Sequence, residues 1–177
     1  DDGFDWDDLP DSVAVVGAGV IGLELGQALH RLGVRVAVFG RGDRLAQIAD
    51  DKINQVAIAA IGAEVDLRMQ TEIISARVVG DEVELQSRHA DGKTRTERFR
   101  YVLAATGRRP NVQGLGLEST GLQLDDKGIP VFDALTMQCG DSPIFIAGDV
   151  SNERPLLHEA TDEGRIAGDN AGRFPNV

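Results

Sequence analysis

The chain has 177 residues, 42% of them hydrophobic, and a formal charge of -11: enough to bury a core, and the wrong sign for broad electrostatic binding to nucleic acid or an anionic membrane. No stretch reaches the roughly 18 apolar residues of a membrane span, and the acidic opening Asp1-Asp2-Gly3-Phe4-Asp5 is the reverse of a basic signal-peptide start, so a cytoplasmic location is expected. Glycine supplies 21 residues, against a usual share of about 7% and without a collagen-like period, which points to many tight turns and an α/β nucleotide-binding architecture.

In chain order, residues 1–11 read as a linker, and a chain that opens without Met is expected to be part of something longer. Ser12 to Val16 reads as a buried strand leading into Gly17-Ala18-Gly19-Val20-Ile21-Gly22, after which Leu23, Leu25, Ala28, Leu29 and Leu32 follow helical spacing. Gly33 stops that helix, and Val34 to Phe39 reads as a second strand parallel to the first. Apolar positions from Leu45 to Ile61 fit a second helix ending at Gly62, and Ala63 to Leu67 a third strand. Ile73–Val79, Glu82–Arg88 and Thr94–Phe99 alternate in polarity and are broken by Gly80-Asp81 and Asp91-Gly92, which predicts an antiparallel meander laid on the parallel sheet. Tyr101 to Ala105 returns as a buried strand.

Past Thr106 the character changes. Gly107 to Gly121 reads as glycine-rich loop, Ile129–Phe132 and Ile144–Ala147 as short strands, and His158–Ala171 as a closing helix. The single cysteine, Cys139, excludes an intrachain disulfide and a cysteine metal cluster and reads as a buried inert thiol; no metal site is expected. The expected class is thus α/β: a Rossmann-like parallel sheet with an antiparallel meander over 12–106, followed by a smaller segment over 107–177.

A lone GxGxxG is a weak signal, but here a strand precedes it, a helix follows, and a second strand comes after that helix. Gly17 would make the turn, Gly19 would let a pyrophosphate approach the backbone, and Gly22 would let helix and strand pack closely; the rival reading is a packing turn without a ligand. The helix N-terminus offers free N–H groups and a partial positive charge to the phosphates. Where an acidic residue usually accepts from a ribose hydroxyl, at the end of the second strand, stand Gly40 and Arg41, with Asp43 close behind. Arg41, with Arg44 as a possible helper, reads as a ligand for a ribose 2′-phosphate, or else as a solvent-exposed loop arginine.

GAGVIGLE at Gly17–Glu24, ATGRRPN at Ala105–Asn111 and IFIAGD at Ile144–Asp149 occur in this order, an arrangement that resembles the pyridine nucleotide-disulfide oxidoreductases. Leu156-Leu157-His158-Glu159-Ala160 with Glu163-Gly164 is similar to the dihydrolipoamide dehydrogenase branch. The resemblance implies that 12–106 are an NAD(P)-binding domain inserted into an FAD-binding domain, and that 107–177 are a returning, partial segment of the latter. It places the cofactor-binding residues at Gly17, Gly19, Val20, Ile21, Gly22, Glu24, Arg41, Gly107, Gly148 and Asp149. Val20 falls where the family gates the nicotinamide pocket, Glu24 where a glutamate meets the nicotinamide amide, and Asp149 where an aspartate bonds the ribityl chain of FAD. Arg41 coincides with an arginine of NADP-using members, whose second arginine is replaced by Gln47.

The helix at His158 resembles the one aimed at the flavin ring. His158 itself is expected to be a helix-cap or packing residue, and Glu159 and Glu163 to lie on a solvated helix face. The resemblance further implies a homodimeric parent flavoenzyme that passes hydride between NAD(P)(H) and FAD and electrons to or from a disulfide such as lipoamide. The chain carries no catalytic residue of its own, since the paired redox cysteines, the FAD adenosine fingerprint and the histidine base are not in it. By itself it is expected to be inactive, colourless and monomeric. Alternatives are a glutathione reductase, mercuric reductase or transhydrogenase relative, and a non-catalytic nucleotide-binding module.

Overall fold

The computed structural model describes residues 6–152 and 156–177; the acidic opening lies outside the described residues. Two compact units are present, Asp1–Gly107 and Arg108–Val177.

The first unit contains β1 (Ser12–Val16), α1 (Val20–Arg31), β2 (Arg35–Phe39), α2 (Asp51–Gly62), β3 (Asp66–Arg68), β4 (Thr71–Val79), β5 (Glu82–His89), β6 (Thr94–Phe99) and β7 (Tyr101–Ala104). β3-β2-β1-β7 form a parallel sheet, and β4-β5-β6 a separate antiparallel one. This is the expected α/β architecture, and its layering follows from side-chain alternation. Val13 and Val15 of β1 and Val36 and Val38 of β2 join a core with Leu23, Leu29, Ala57 and Ile58 of the helices. Their neighbours Ala14, Ala37 and Phe39 face the other way, into a core with Leu85 and Phe99 of the antiparallel sheet. Phe39 and Phe99 meet edge to face, with ring centroids 6.2 Å apart. Arg68 at the end of β3 pairs with both Asp66 and Glu97, and its guanidinium lies 5.1 Å over Phe39, joining the two sheets at one corner.

Two local expectations are corrected. Helix α2 does not start at Leu45: Leu45–Gln47 is a single 3-10 turn with Ala46 and Gln47 at positive φ, and the helix starts after Asp50, whose carboxylate accepts from Ile53 N at 2.9 Å. Strand β3 starts at Asp66 because the Ala63, Glu64 and Val65 N–H groups still bond back to Ala59 and Ile61 at the end of α2. Trp6, in the segment read as a linker, stacks on Tyr101 at 4.8 Å, and the Asp11 carbonyl accepts from Arg35 N. The cap carries a prediction: Asp50→Ala should lower stability by about 1 kcal/mol, read as a drop of several degrees in the circular dichroism melt, with the folded spectrum unchanged.

The second unit holds α3 (Leu157–Arg173) and a small core of Ile129, Cys139 and Ile146. Cys139 is fully buried, and burial pushes its thiol pKa up, away from the reactive thiolate. The strands expected at 129–132 and 144–147 do not form; among the described residues each segment makes only one isolated bridge, Leu124 with Pro130 and Gln138 with Phe145. Backbone pairing is confined to these bridges, where Val131 N bonds the Gln123 carbonyl and Ile146 N the Met137 carbonyl, while side chains take neighbouring N–H groups. Asp125 takes the Ile129 N–H, Asp133 takes those of Leu135 and Thr136, and Ser142 takes that of Ile144, while Pro130 has none to give.

Candidate functional site

In the first unit, chain order and sheet order reverse between β1 and β7, the switch point at whose carboxyl end open α/β sheets bind ligands. The glycine turn lies there. Gly17 has φ +118°, its N–H bonds the Phe39 carbonyl at 2.8 Å, and a Cβ at this position would overlap the Ala105 carbonyl beyond β7. A Cβ on Gly22 would overlap the Gly17 carbonyl and stand 3.2 Å from the Ala105 methyl. These two glycines are therefore demanded by protein packing alone. Gly19 differs: a Cβ there would meet nothing within 4 Å, although Gly19 is the N-cap of α1. No side chain caps this helix and no acidic residue occupies its first turn, so its N–H groups and positive dipole end are left for an anion.

Helix α1 presents two faces at i, i+4 spacing. Gly22 and Gly26 are buried, and a Cβ on Gly26 would stand 3.1 Å from Val38; absent side chains bring the helix axis down onto the sheet. On the other side Val20, Ile21 and Glu24 are exposed, with Val20 at 58% and Ile21 at 49%. An apolar pair with a carboxylate one turn away thus borders the open N-terminus.

Past β2, Gly40 is buried, and a Cβ there would stand 2.8 Å from Met69 Sδ and 2.9 Å from Ala18 Cβ. The usual acidic side chain has no room. Arg41 is exposed and makes no hydrogen bond or ion pair among the described residues. It borders a hollow of about 320 Å3 with Gln70, Glu72, Arg88, His89, Ala90 and Gly92. Arg44, the possible helper, is corrected: its guanidinium donates to the Ile48 and Ala49 carbonyls and to Asp51. The loop itself is held by Asn54 of α2, a residue that sequence reasoning missed. Buried at 8% exposure, Asn54 accepts from Leu45 N at 2.9 Å and donates to the Asp43 carbonyl at 3.0 Å. Gly107, three residues past β7, is exposed at φ +102°.

In the second unit, Gly148 at φ +78° opens a 3-10 turn, Gly148–Ser151, and Asp149 is exposed with no partner for its carboxylate among the described residues. Two expectations for α3 are corrected. His158 is exposed and is not the cap, a position held by Leu156. Glu163 is not on a solvated face: at 9% exposure its carboxylate accepts from Gly148 N at 2.7 Å and lies 3.5 Å from Ser151 Oγ. Among the described residues no group of three or more His, Cys, Asp or Glu could hold a metal ion, and no helix is long and apolar enough to cross a membrane.

Comparison with known proteins gives consistent results. Residues 1–164 match the family model described as pyridine nucleotide-disulphide oxidoreductase. Dihydrolipoyl dehydrogenase 3 of Pseudomonas aeruginosa is 34% identical over 96% of this chain and 38% of its own length, and dihydrolipoyl dehydrogenase 3 of Pseudomonas putida is 37% identical over 90% of this chain and 35% of its own. Among solved structures, LpdA from Mycobacterium tuberculosis superposes with a TM-score of 0.80 at 33% identity, covering 96% of this chain and 36% of that one. The HOCl-induced flavoprotein disulfide reductase RclA from Escherichia coli shares the fold, with a TM-score of 0.79 at 22% identity over 93% of this chain and 36% of that one. The chain spans a little over a third of the length of these relatives.

Proposed function

Because the chain belongs to the pyridine nucleotide-disulphide oxidoreductase family, we propose that it is the nucleotide-binding portion of a dihydrolipoamide-dehydrogenase-like flavoenzyme. That enzyme passes hydride between NAD(P)(H) and FAD, and electrons to or from a disulfide such as lipoamide. In this reading residues 12–106 hold the nicotinamide dinucleotide and 107–177 supply part of the FAD site.

The observation that carries the reading is the division of labour among the three glycines. Packing explains Gly17 and Gly22, whereas among the described residues no side chain or distant backbone stands where a Gly19 Cβ would go. A side chain missing before open space at an uncapped helix start is what a pyrophosphate requires. The Gly19, Val20, Ile21 and Gly22 backbone would hold the pyrophosphate. Val20 would border the nicotinamide, Glu24 would accept from its carboxamide, and Arg41 would meet a 2′-phosphate. In the second unit Gly148 and Asp149 would receive the ribityl chain of FAD, the carboxylate accepting from its hydroxyls; Gly107 would let the chain turn between the two cofactor-binding portions. The bound cofactors supply the redox chemistry, and the protein groups bind and orient them.

Calorimetric titration of the chain with NADPH and NADH tests the first half of the proposal. A saturable heat with one nucleotide per chain is expected. Absence of a saturable signal with both nucleotides would contradict a dinucleotide site at the glycine turn.

A further inference from the structure

We propose that Glu163 is a positioning residue for Asp149: its buried carboxylate anchors the Gly148 turn on α3, so that the Asp149 carboxylate is displayed toward the flavin. The inference rests on the reading of Asp149 as a flavin contact.

Helix α3 is rich in charge, yet one stripe of it is built for contact inside its own unit. Ala160, Glu163, Ala167 and Asn170 follow i, i+3, i+7, i+10 spacing, which puts them on one face. Glu163 and Ala167 are buried, a Cβ on Gly148 would stand 3.6 Å from the Ala160 methyl, and Asn170 donates to the Thr136 carbonyl at 3.0 Å. Within that stripe Glu163 is the buried charge, and Gly148 N lies 2.7 Å from its Oε2. A buried carboxylate is costly unless hydrogen-bonded, and a backbone N–H to carboxylate bond is among the stronger protein hydrogen bonds.

The bond acts where the backbone is least constrained by its own side chains. Gly148 sits at φ +78° and Asn152 at φ +58°, so the four-residue turn is bounded by left-handed positions at both ends. Asp149 follows Gly148 directly. The Gly148 N–H holds the Ala147–Gly148 peptide plane at the start of the turn, and Ser151 Oγ, 3.5 Å from the same carboxylate, ties down its last residue, so Asp149 is held between two anchors on Glu163. One carboxylate is thus engaged inside the unit while its neighbour, one residue past the bonded amide, is exposed.

The test separates reach from charge in the flavin-bound polypeptide that contains this chain. E163D keeps the charge but draws the acceptor back by about one methylene, while E163Q keeps both the reach and an acceptor oxygen. We expect E163D to speed exchange of the Gly148 amide and to weaken FAD retention on dialysis roughly tenfold or more; E163Q should stay within about threefold of wild type. In the D149A background E163D should add no further loss. Retention unchanged in E163D, equal losses in E163Q and E163D, or a full additional loss on top of D149A would each overturn the positioning role. So would rapid, unprotected exchange of the wild-type Gly148 amide, a measurement that needs no variant to fold. If D149A itself retains FAD like wild type, it is the flavin reading of this turn that fails, a result distinct from the others.

Discussion

Gly22→Ala is expected to lower stability by about 3 kcal/mol and to abolish nucleotide binding, whereas Gly19→Ala should weaken binding at least tenfold with stability changed by no more than about 1 kcal/mol. The contrast comes from what each new methyl would meet. At Gly22 it overlaps the Gly17 carbonyl, a backbone atom that no rotamer change can move aside, so α1 must slide off the end of β1. The sliding also spoils the contact with Ala105 and the direction of the first N–H groups, so binding falls with stability. At Gly19, among the described residues, the methyl meets no atom within 4 Å apart from its chain neighbours, and the backbone, at φ -80°, is ordinary for alanine. Among the described residues it obstructs nothing, so the loss is expected to come from a ligand. Thermal melts with nucleotide titrations of both variants check this. A Gly22→Ala melt close to wild type would show that α1 does not pack on the turn as described, and undiminished binding in Gly19→Ala would mean that the open space holds no phosphate.

Arg41→Ala should weaken NADPH binding roughly ten- to a hundredfold and leave NADH within about twofold, with wild type preferring NADPH. Arg41 is exposed, and among the described residues nothing else engages its guanidinium. Beside it Gly40 supplies no carboxylate to repel a 2′-phosphate, and Arg44 is withdrawn by its bonds to Ile48, Ala49 and Asp51. A forked cation with no internal partner suits a bidentate phosphate contact, and its exposure predicts that the preference shrinks as salt is added. Parallel titrations of both nucleotides at two ionic strengths decide the matter. Equal or tighter NADH binding in wild type, or an Arg41→Ala chain that still binds NADPH normally, would reduce Arg41 to a surface loop residue.

The first half of the fold was legible because its constraints are local. The glycine turn, the valine-rich strands and the Gly80 and Gly92 turns each signal their geometry in a few adjacent residues. The start of α2 was not, since the apolar spacing continues through Leu45 and Ile48 while Ala46 and Gln47 adopt left-handed backbone that neither residue type announces. Asp50 was the available signal: an N-cap aspartate just before the helix. The segments at 129–132 and 144–147 look like strands by composition, but a strand is completed by its neighbours, and composition does not show whether a ladder is there to join. The candidate site divides in the same way. Gly17, Gly19 and Gly22 announced themselves through spacing, whereas Asn54 and Glu163 matter through partners nine to fifteen residues away, and a polar residue in a helix gives no sign of which partner folding will bring to it.

The packing around Gly40 constrains how a nucleotide site built on this loop could change its preference over time. A nucleotide site usually turns toward the unphosphorylated ribose by gaining a carboxylate at the end of the second strand. Here a side chain at that place would stand 2.8 Å from Met69 Sδ and 2.9 Å from Ala18 Cβ. Gly40→Glu as a first step would therefore carry a folding defect before conferring any selectivity. A smaller residue at 69 and glycine at 18 would both have to be fixed beforehand, each at some cost to the core that Ala18 and Met69 help to pack. The order of substitutions, and not merely their identity, decides which route is open, so a nucleotide site with this glycine would be held to its existing choice by a methionine and an alanine that need never touch the cofactor.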